Sequence, residues 1–142
     1  MKQSLDFSPY KLVNKALLEL KTNEQKVISG RFGVNENRKT LSAIGRELNL
    51  SRERIRQIER DGLKRLATKL ANGDHMDKIY NLFKENGGIS SHIQLPSTIL
   101  GKDIDSKEIN SLNLILTLMP QIRKIDKTRE LEESWVLADI TK

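Results

Sequence analysis

The sequence predicts a mainly α chain in two parts, a helical bundle followed by a small α+β domain. Three observations predict it. Apolar residues recur at helical spacing through the first half, helix-capping residues punctuate them, and the final segment contains two strand-like runs around a charged turn. With 142 residues, 37% of them hydrophobic, the chain can hold one ordinary domain or two small ones. The polar joint "LANGDHMD" carries Asn72, Gly73 and Asp74, which stop one helix and can cap the next. That places a tail at 1–8, one domain at 9–72 and a second module at 74–142.

Ser8 is a natural N-cap, and Pro9 suits the first helical position because its missing N–H has no partner there in any case. Leu12, Val13, Ala16, Leu17 and Leu20 then share one face. Thr22 followed by Gln25 suggests a capping box for a short helix ending around Gly33, and "NENRK" reads as a loop. Thr40 caps a helix through Leu48, Asn49 suits a left-handed turn, and Ser51 caps a helix reaching about Leu70.

The last two helices belong together. At about 100 degrees per residue, Ile55, Ile58, Gly62 and Leu66 fall on one side of the second, and Arg52, Glu53, Arg56, Gln57, Arg60 and Lys64 on the other. Leu41, Ile44 and Leu48 form the matching stripe on the first, Gly45 allows close approach, and Leu50 plugs the turn. This is the pattern of a helix-turn-helix, whose second helix enters a DNA major groove. One charged face on an amphipathic helix is usually only a solvated surface. Here the caps, the turn residue, the small residue and both stripes agree.

The outer face carries side chains able to read bases: arginine pairs with guanine, glutamine with adenine, and glutamate accepts from cytosine. Arg38, Lys39 and the helix start at Thr40 are suited to hold phosphates. Charge supports this division. Residues 1–73 contain 16 Lys and Arg against 8 Asp and Glu, whereas residues 74–142 contain 9 against 11. Only the first half is built to meet a polyanion.

"EQKVISGRFGV" and "KTLSAIGRELNLSRERIRQIERDGLKRL" resemble region 4 of bacterial sigma-70 family factors, which reads the promoter minus-35 element. The resemblance covers about Pro9 to Leu70. It implies base-edge roles for Arg52, Glu53 and Gln57 and phosphate or base contacts for Arg56, with Arg54 and Arg60 flanking them. It also implies that the upstream helices, Leu12 to Phe32, dock on the RNA polymerase β-subunit flap. Two departures stand out. The family usually has alanine where Gly62 stands, so a bend or weak point near Asp61 is expected. No segment resembles the aromatic-rich region 2, so the chain alone is not expected to melt a promoter.

In the second half, Met76, Ile79, Leu82 and Phe83 form a helical stripe that Asn86 and Gly87 end. "ISSHIQLPSTILG" is broken by Pro96 and leaves room for a short strand and a short helix. Asp105 and Glu108 form a capping box for a helix burying Ile109, Leu112, Ile115, Leu116 and Met119 and stopping at Pro120. With the terminal hairpin this order suggests a winged-helix-like module. Its five basic and five acidic residues from Pro120 onward, with "ELEES" among them, favour a protein partner over DNA. Trp135 has two readings, an anchor for that partner or a core residue.

His75 and His92 lack ligand-spaced companions, and there is no cysteine, phosphate-cradling glycine loop or nucleophile elbow. The expected protein is not an enzyme, needs no metal or cofactor, spans no membrane and resides in the cytoplasm. Its expected partners are double-stranded promoter DNA and RNA polymerase core. The alternative is an adaptor or antagonist that binds polymerase through the same surface without reading DNA sequence. A less favoured third reading is a dimeric repressor on a palindromic site.

Overall fold

A computed structural model describes residues 5–85, 89–91, 105–120, 122–125 and 134–137, with the strands described by backbone. Six helices are found among these residues: α1 (Pro9–Leu17), α2 (Thr22–Phe32), α3 (Leu41–Leu48), α4 (Arg52–Leu70), α5 (His75–Glu85) and α6 (Ser106–Leu118). The fold is mainly helical. Three short strands, β1 (Ile89–Ser91), β2 (Ile122–Ile125) and β3 (Ser134–Leu137), form an antiparallel sheet in the order β1-β3-β2. Ser90 and Lys124 lie opposite Trp135 on its two flanks. The break at Pro96, His92, the helix end at Asn86 and Gly87, the "ELEES" turn and the Trp135 side chain lie outside the described residues.

Local chemistry explains the helix starts. The Ser8 hydroxyl accepts from the Lys11 amide, Thr40 from Ala43 and Ser51 from Arg54, each satisfying an N–H that the first helical turn leaves without a partner. α2 differs from the expected Thr22–Gln25 box. Its N-cap is Lys21, and the capping carboxylate is Glu24, whose Oε1 accepts from the Lys21 amide at 3.3 Å. Gln25 instead donates from Nε2 to the Leu20 carbonyl at 2.8 Å. Glu24 sits at N3 and its stem is buried under α4, so it is placed to do what Gln25 was expected to do.

Two apolar clusters hold the helices. Val27, Ile44, Ile55 and Ile58 form the smaller, with Leu41, Leu48 and Leu50 packed against it. The larger joins Val13, Ala16, Leu17, Leu20 and Ile28 to Leu66 and Leu70, and continues through Ile79, Phe83, Leu112, Ile115 and Leu116. α4 is therefore anchored twice. Its first half rests on α3, and its last turns on a core shared by α1, α5 and α6. Each fully buried Ile or Leu contributes about 1.5–3 kcal/mol by removal from water, which keeps this rod fixed.

α6 is more deeply placed than its periodicity suggested. Ser111 to Leu116 are all buried, including Leu114 and Asn113 on the faces expected to be open, while Ile109 is only partly covered. A helix buried all round needs neighbours on every side, and α1 supplies one of them. The expected Asp105–Glu108 box is half present. Asp105 Oδ1 accepts from the Glu108 amide at 3.0 Å, but the Glu108 carboxylate reaches across to α1. There it accepts from Ser8 Oγ at 2.6 Å and from the Tyr10 amide at 2.8 Å. A side chain of α6 thus caps the start of α1.

α4 is helical without interruption from Arg52 to Leu70, so the weak point expected near Asp61 does not break the helix. Gly62 lies where α4 crosses α2, and a Cβ there would meet Ile28 Cδ1 at 2.9 Å and Glu24 Cβ at 3.3 Å. Close packing, with no break in the helix, accounts for the glycine.

Candidate nucleic-acid interface

The α3–α4 corner takes its shape from three residues. Asn49 adopts the left-handed conformation at φ 58° that ends α3. Leu50 donates from its amide to the Gly45 carbonyl at 2.9 Å and turns its side chain toward the smaller cluster. Gly45 is buried so tightly that a Cβ would stand 2.7 Å from the Leu50 carbonyl oxygen. The second helix therefore starts directly over the first.

With Ile55 and Ile58 turned inward, Arg52, Glu53, Arg54, Arg56, Arg60 and Lys64 are exposed and Gln57 is half-buried. The neighbours that hold α4 lie behind this face and toward its far end. Arg56 makes a two-point contact with Glu53 one turn earlier, Nε to Oε2 at 3.0 Å and Nη2 to Oε1 at 2.6 Å. That contact holds the Glu53 carboxyl below the ordinary carboxylate range and raises the already high Arg56 guanidinium. Glu53 therefore orients an arginine in the free protein. Arg54 leans the other way, donating from Nη1 to Gln57 Oε1 at 3.4 Å, and lines a hollow with Lys21, Thr22, Asn23, Asp61 and Arg65. Arg60 lies 3.8 Å from the Asp61 carboxylate.

The three residues proposed for phosphate sit just before α3. Thr40 is exposed, though its hydroxyl oxygen already accepts the capping bond. Lys39 is half-buried and lies between Glu47 at 2.8 Å and Glu36 at 2.9 Å, which raise its ammonium above the ordinary lysine value. A phosphate must compete with these two carboxylates for Lys39. Arg38 is exposed and donates from Nη2 to Asn110 Oδ1 of α6 at 3.1 Å.

Sequence reasoning missed the polar struts behind this face. Arg31 of α2 donates from Nε to Glu59 of α4 at 2.7 Å and from Nη1 to the Lys39 carbonyl at 3.2 Å, tying α2, α4 and the loop before α3 together. Glu24 is buried and accepts from Arg65 of α4 as well as from the Lys21 amide. Helical spacing puts Arg31 and Glu59 on no shared face, so only the crossing of α2 and α4 brings them together.

A helix-turn-helix with the charged side of its second helix free is the class of unit that DNA-binding transcription proteins use. Residues 16–68 match the family model of sigma-70, region 4, so this segment is similar to that region. The probable RNA polymerase sigma-C factor of Synechocystis is 55% identical over 51 residues, covering 35% of this chain and 13% of that protein. RNA polymerase sigma factor sigB of Arabidopsis thaliana is 42% identical over 73 residues, 51% of this chain and 11% of that protein. RNA polymerase sigma factor SigA of Clostridium acetobutylicum is 39% identical over 66 residues, 43% of this chain and 18% of that protein. The chain thus spans less than a fifth of the length of these relatives. No solved structure matches it.

Among the described residues no helix is long and apolar enough to cross a membrane, and no group of three or more His, Asp or Glu is placed to hold a metal ion.

Proposed function

We propose that residues 9–72 bind promoter DNA in a sequence-specific manner, with α4 in the major groove of a minus-35-type element, and that the chain acts in transcription together with RNA polymerase core in the cytoplasm. The observation that carries this is the exposed side of Arg52 to Lys64, held outward by two buried anchors on the opposite side. Arg52, Glu53 and Gln57 meet base edges near the start of the helix. Arg56 reaches a base or a phosphate with Glu53 steering it, Arg54 and Arg60 flank the groove, and Lys64 meets backbone farther along. Arg38, Lys39 and Thr40 hold the strand that α3 crosses. No step in this reading requires an enzyme active site, metal or cofactor.

The apolar side of α1 is already covered, since Val13, Ala16 and Leu17 are buried in the core that α6 enters. Contact with the polymerase β-subunit flap therefore falls to the outward side of the segment from Leu12 to Phe32. There Leu18, 68% exposed, is the one large apolar side chain left open among the described residues. Residues 74–142 form a winged-helix-like module in this reading. The helix-strand-helix-strand-strand order supports it, and the charge balance turns the module toward a protein partner.

The test is fluorescence anisotropy of a minus-35-type duplex and a scrambled duplex across a salt series. Sequence-specific binding predicts tighter association with the first and a log–log salt slope of about −4, the value for four or five neutralised phosphates. Equal, weak binding to both duplexes, with retention of polymerase core on the immobilised chain, would favour the adaptor reading.

A further inference from the structure

The loop between α2 and α3 is held by a residue outside the region 4 segment. Asn110 of α6 donates from Nδ2 to the Gly33 carbonyl at 3.0 Å, and its Oδ1 accepts from Arg38 Nη2 at 3.1 Å. Both partners are more than 70 residues away in sequence. Gly33 is built for this contact. It takes φ 69° at the end of α2, and a Cβ there would stand 2.9 Å from both Asn110 Nδ2 and Arg38 Cγ. One amide thus grips the end of α2 and the guanidinium five residues later. The loop then passes to Lys39, whose amide donates to the Gly30 carbonyl at 2.8 Å, and to the cap of α3.

The chemistry of the group matters as much as its place. A carboxylate here would neutralise Arg38 and set an anion against the Gly33 carbonyl oxygen. An amide satisfies that oxygen, engages one of the five guanidinium N–H donors, and leaves the charge and the remaining donors available. Ordering an arginine before it meets a ligand removes part of the entropy cost of the contact.

We infer that Asn110 is a positioning residue for DNA-backbone contact, by which the second half of the chain holds Arg38 ready for a phosphate at the edge of the α3–α4 unit. This rests on the DNA-binding reading above and adds a role for α6 within it.

The experiment uses the whole chain and compares Asn110→Asp, Arg38→Ala and the double variant by anisotropy on matched and scrambled duplexes across salt. Asn110→Asp is expected to weaken both duplexes alike by roughly tenfold and to make the salt slope shallower by about one. Arg38→Ala should do the same, and the double variant should be no weaker than Arg38→Ala alone. Additive losses, or an Asn110→Asp protein with unchanged affinity and slope, overturn the inference. Should Asn110→Asp melt before the assay temperature, Asn110→Ala takes its place, with a smaller loss that vanishes in the Arg38→Ala background. NMR relaxation of the Arg38 Nε–H in the free protein gives a readout that needs no DNA. It should show an ordered side chain that Asn110→Ala releases, and an Arg38 equally mobile in both proteins overturns the inference. If the unaltered chain binds no duplex, the DNA-binding reading fails, and this inference fails with it. If the unaltered chain binds and Asn110→Asp binds as it does, or adds its loss to that of Arg38→Ala, the inference fails alone.

Discussion

Substituting Gly45 by alanine should open the turn on which the candidate interface depends. Two terms oppose each other. Alanine in a helix interior is favoured over glycine by about 1 kcal/mol. Against that, the new Cβ would lie 2.7 Å from the Leu50 carbonyl oxygen, a backbone atom that cannot rotate aside. Relief requires α3 and α4 to separate, at an overpacking cost of about 1–3 kcal/mol. Separation also stretches the 2.9 Å bond from the Leu50 amide to the Gly45 carbonyl, worth about 1 kcal/mol. The net expectation is a loss of about 1–3 kcal/mol, read as a lower urea midpoint by circular dichroism with an unchanged m-value. Gly62→Ala is the control. Its Cβ would meet Ile28 Cδ1 at 2.9 Å, the end of a side chain, and Glu24 Cβ at 3.3 Å, where a small shift suffices, so the helix-propensity gain offsets most of the crowding and leaves it within about 1 kcal/mol of the parent. A Gly45→Ala protein as stable as the parent, or a Gly62→Ala protein that loses more, would refute the reasoning about which crossing is tight.

Glu108→Ala should lower stability by about 1–3 kcal/mol and speed amide exchange at Tyr10, because Ser8 Oγ and the Tyr10 amide lose their acceptor together; unchanged exchange at Tyr10 would show that α6 does not cap α1. The Glu53 carboxyl, followed by NMR, should titrate below the ordinary glutamate range, and Arg56→Ala should return it. Its folded-state value is lowered, so the Glu53–Arg56 contact is present above the ordinary glutamate value and lost as pH falls through the lowered one. Gln57→Ala should reduce preference between matched and scrambled duplexes by about 1–3 kcal/mol, whereas Lys39→Ala should weaken both equally, as competition binding will show.

Much of this architecture is legible in the chain because short-range chemistry sets it. Ser8, Thr40 and Ser51 cap the helices they precede, Asn49 takes the left-handed turn, and the stripes of α3 and α4 face each other. Each feature spans a few residues and depends on spacing alone. Gly62 shows the limit. Glycine in a helix reads as weakness from sequence, but its reason is a close crossing with Glu24 and Ile28 some forty residues earlier. Glu108 shows the same limit, since its sequence position suits a cap for its own helix and only tertiary packing turns it to α1. For the interface, spacing identified the outward residues of α4. It could not show that Glu53 holds Arg56, that Lys39 rests between two carboxylates, or that Asn110 reaches Arg38, because those partners are chosen by rotamer and by distant packing.

Selection of bound sequences from a random duplex pool, using the whole chain with and without RNA polymerase core, tests the central claim most directly. The account predicts enrichment of one short minus-35-type motif, at positions that blur when Gln57 is replaced by alanine. Recovery of an unenriched pool in both arms, from a chain that is folded and holds polymerase, would contradict it.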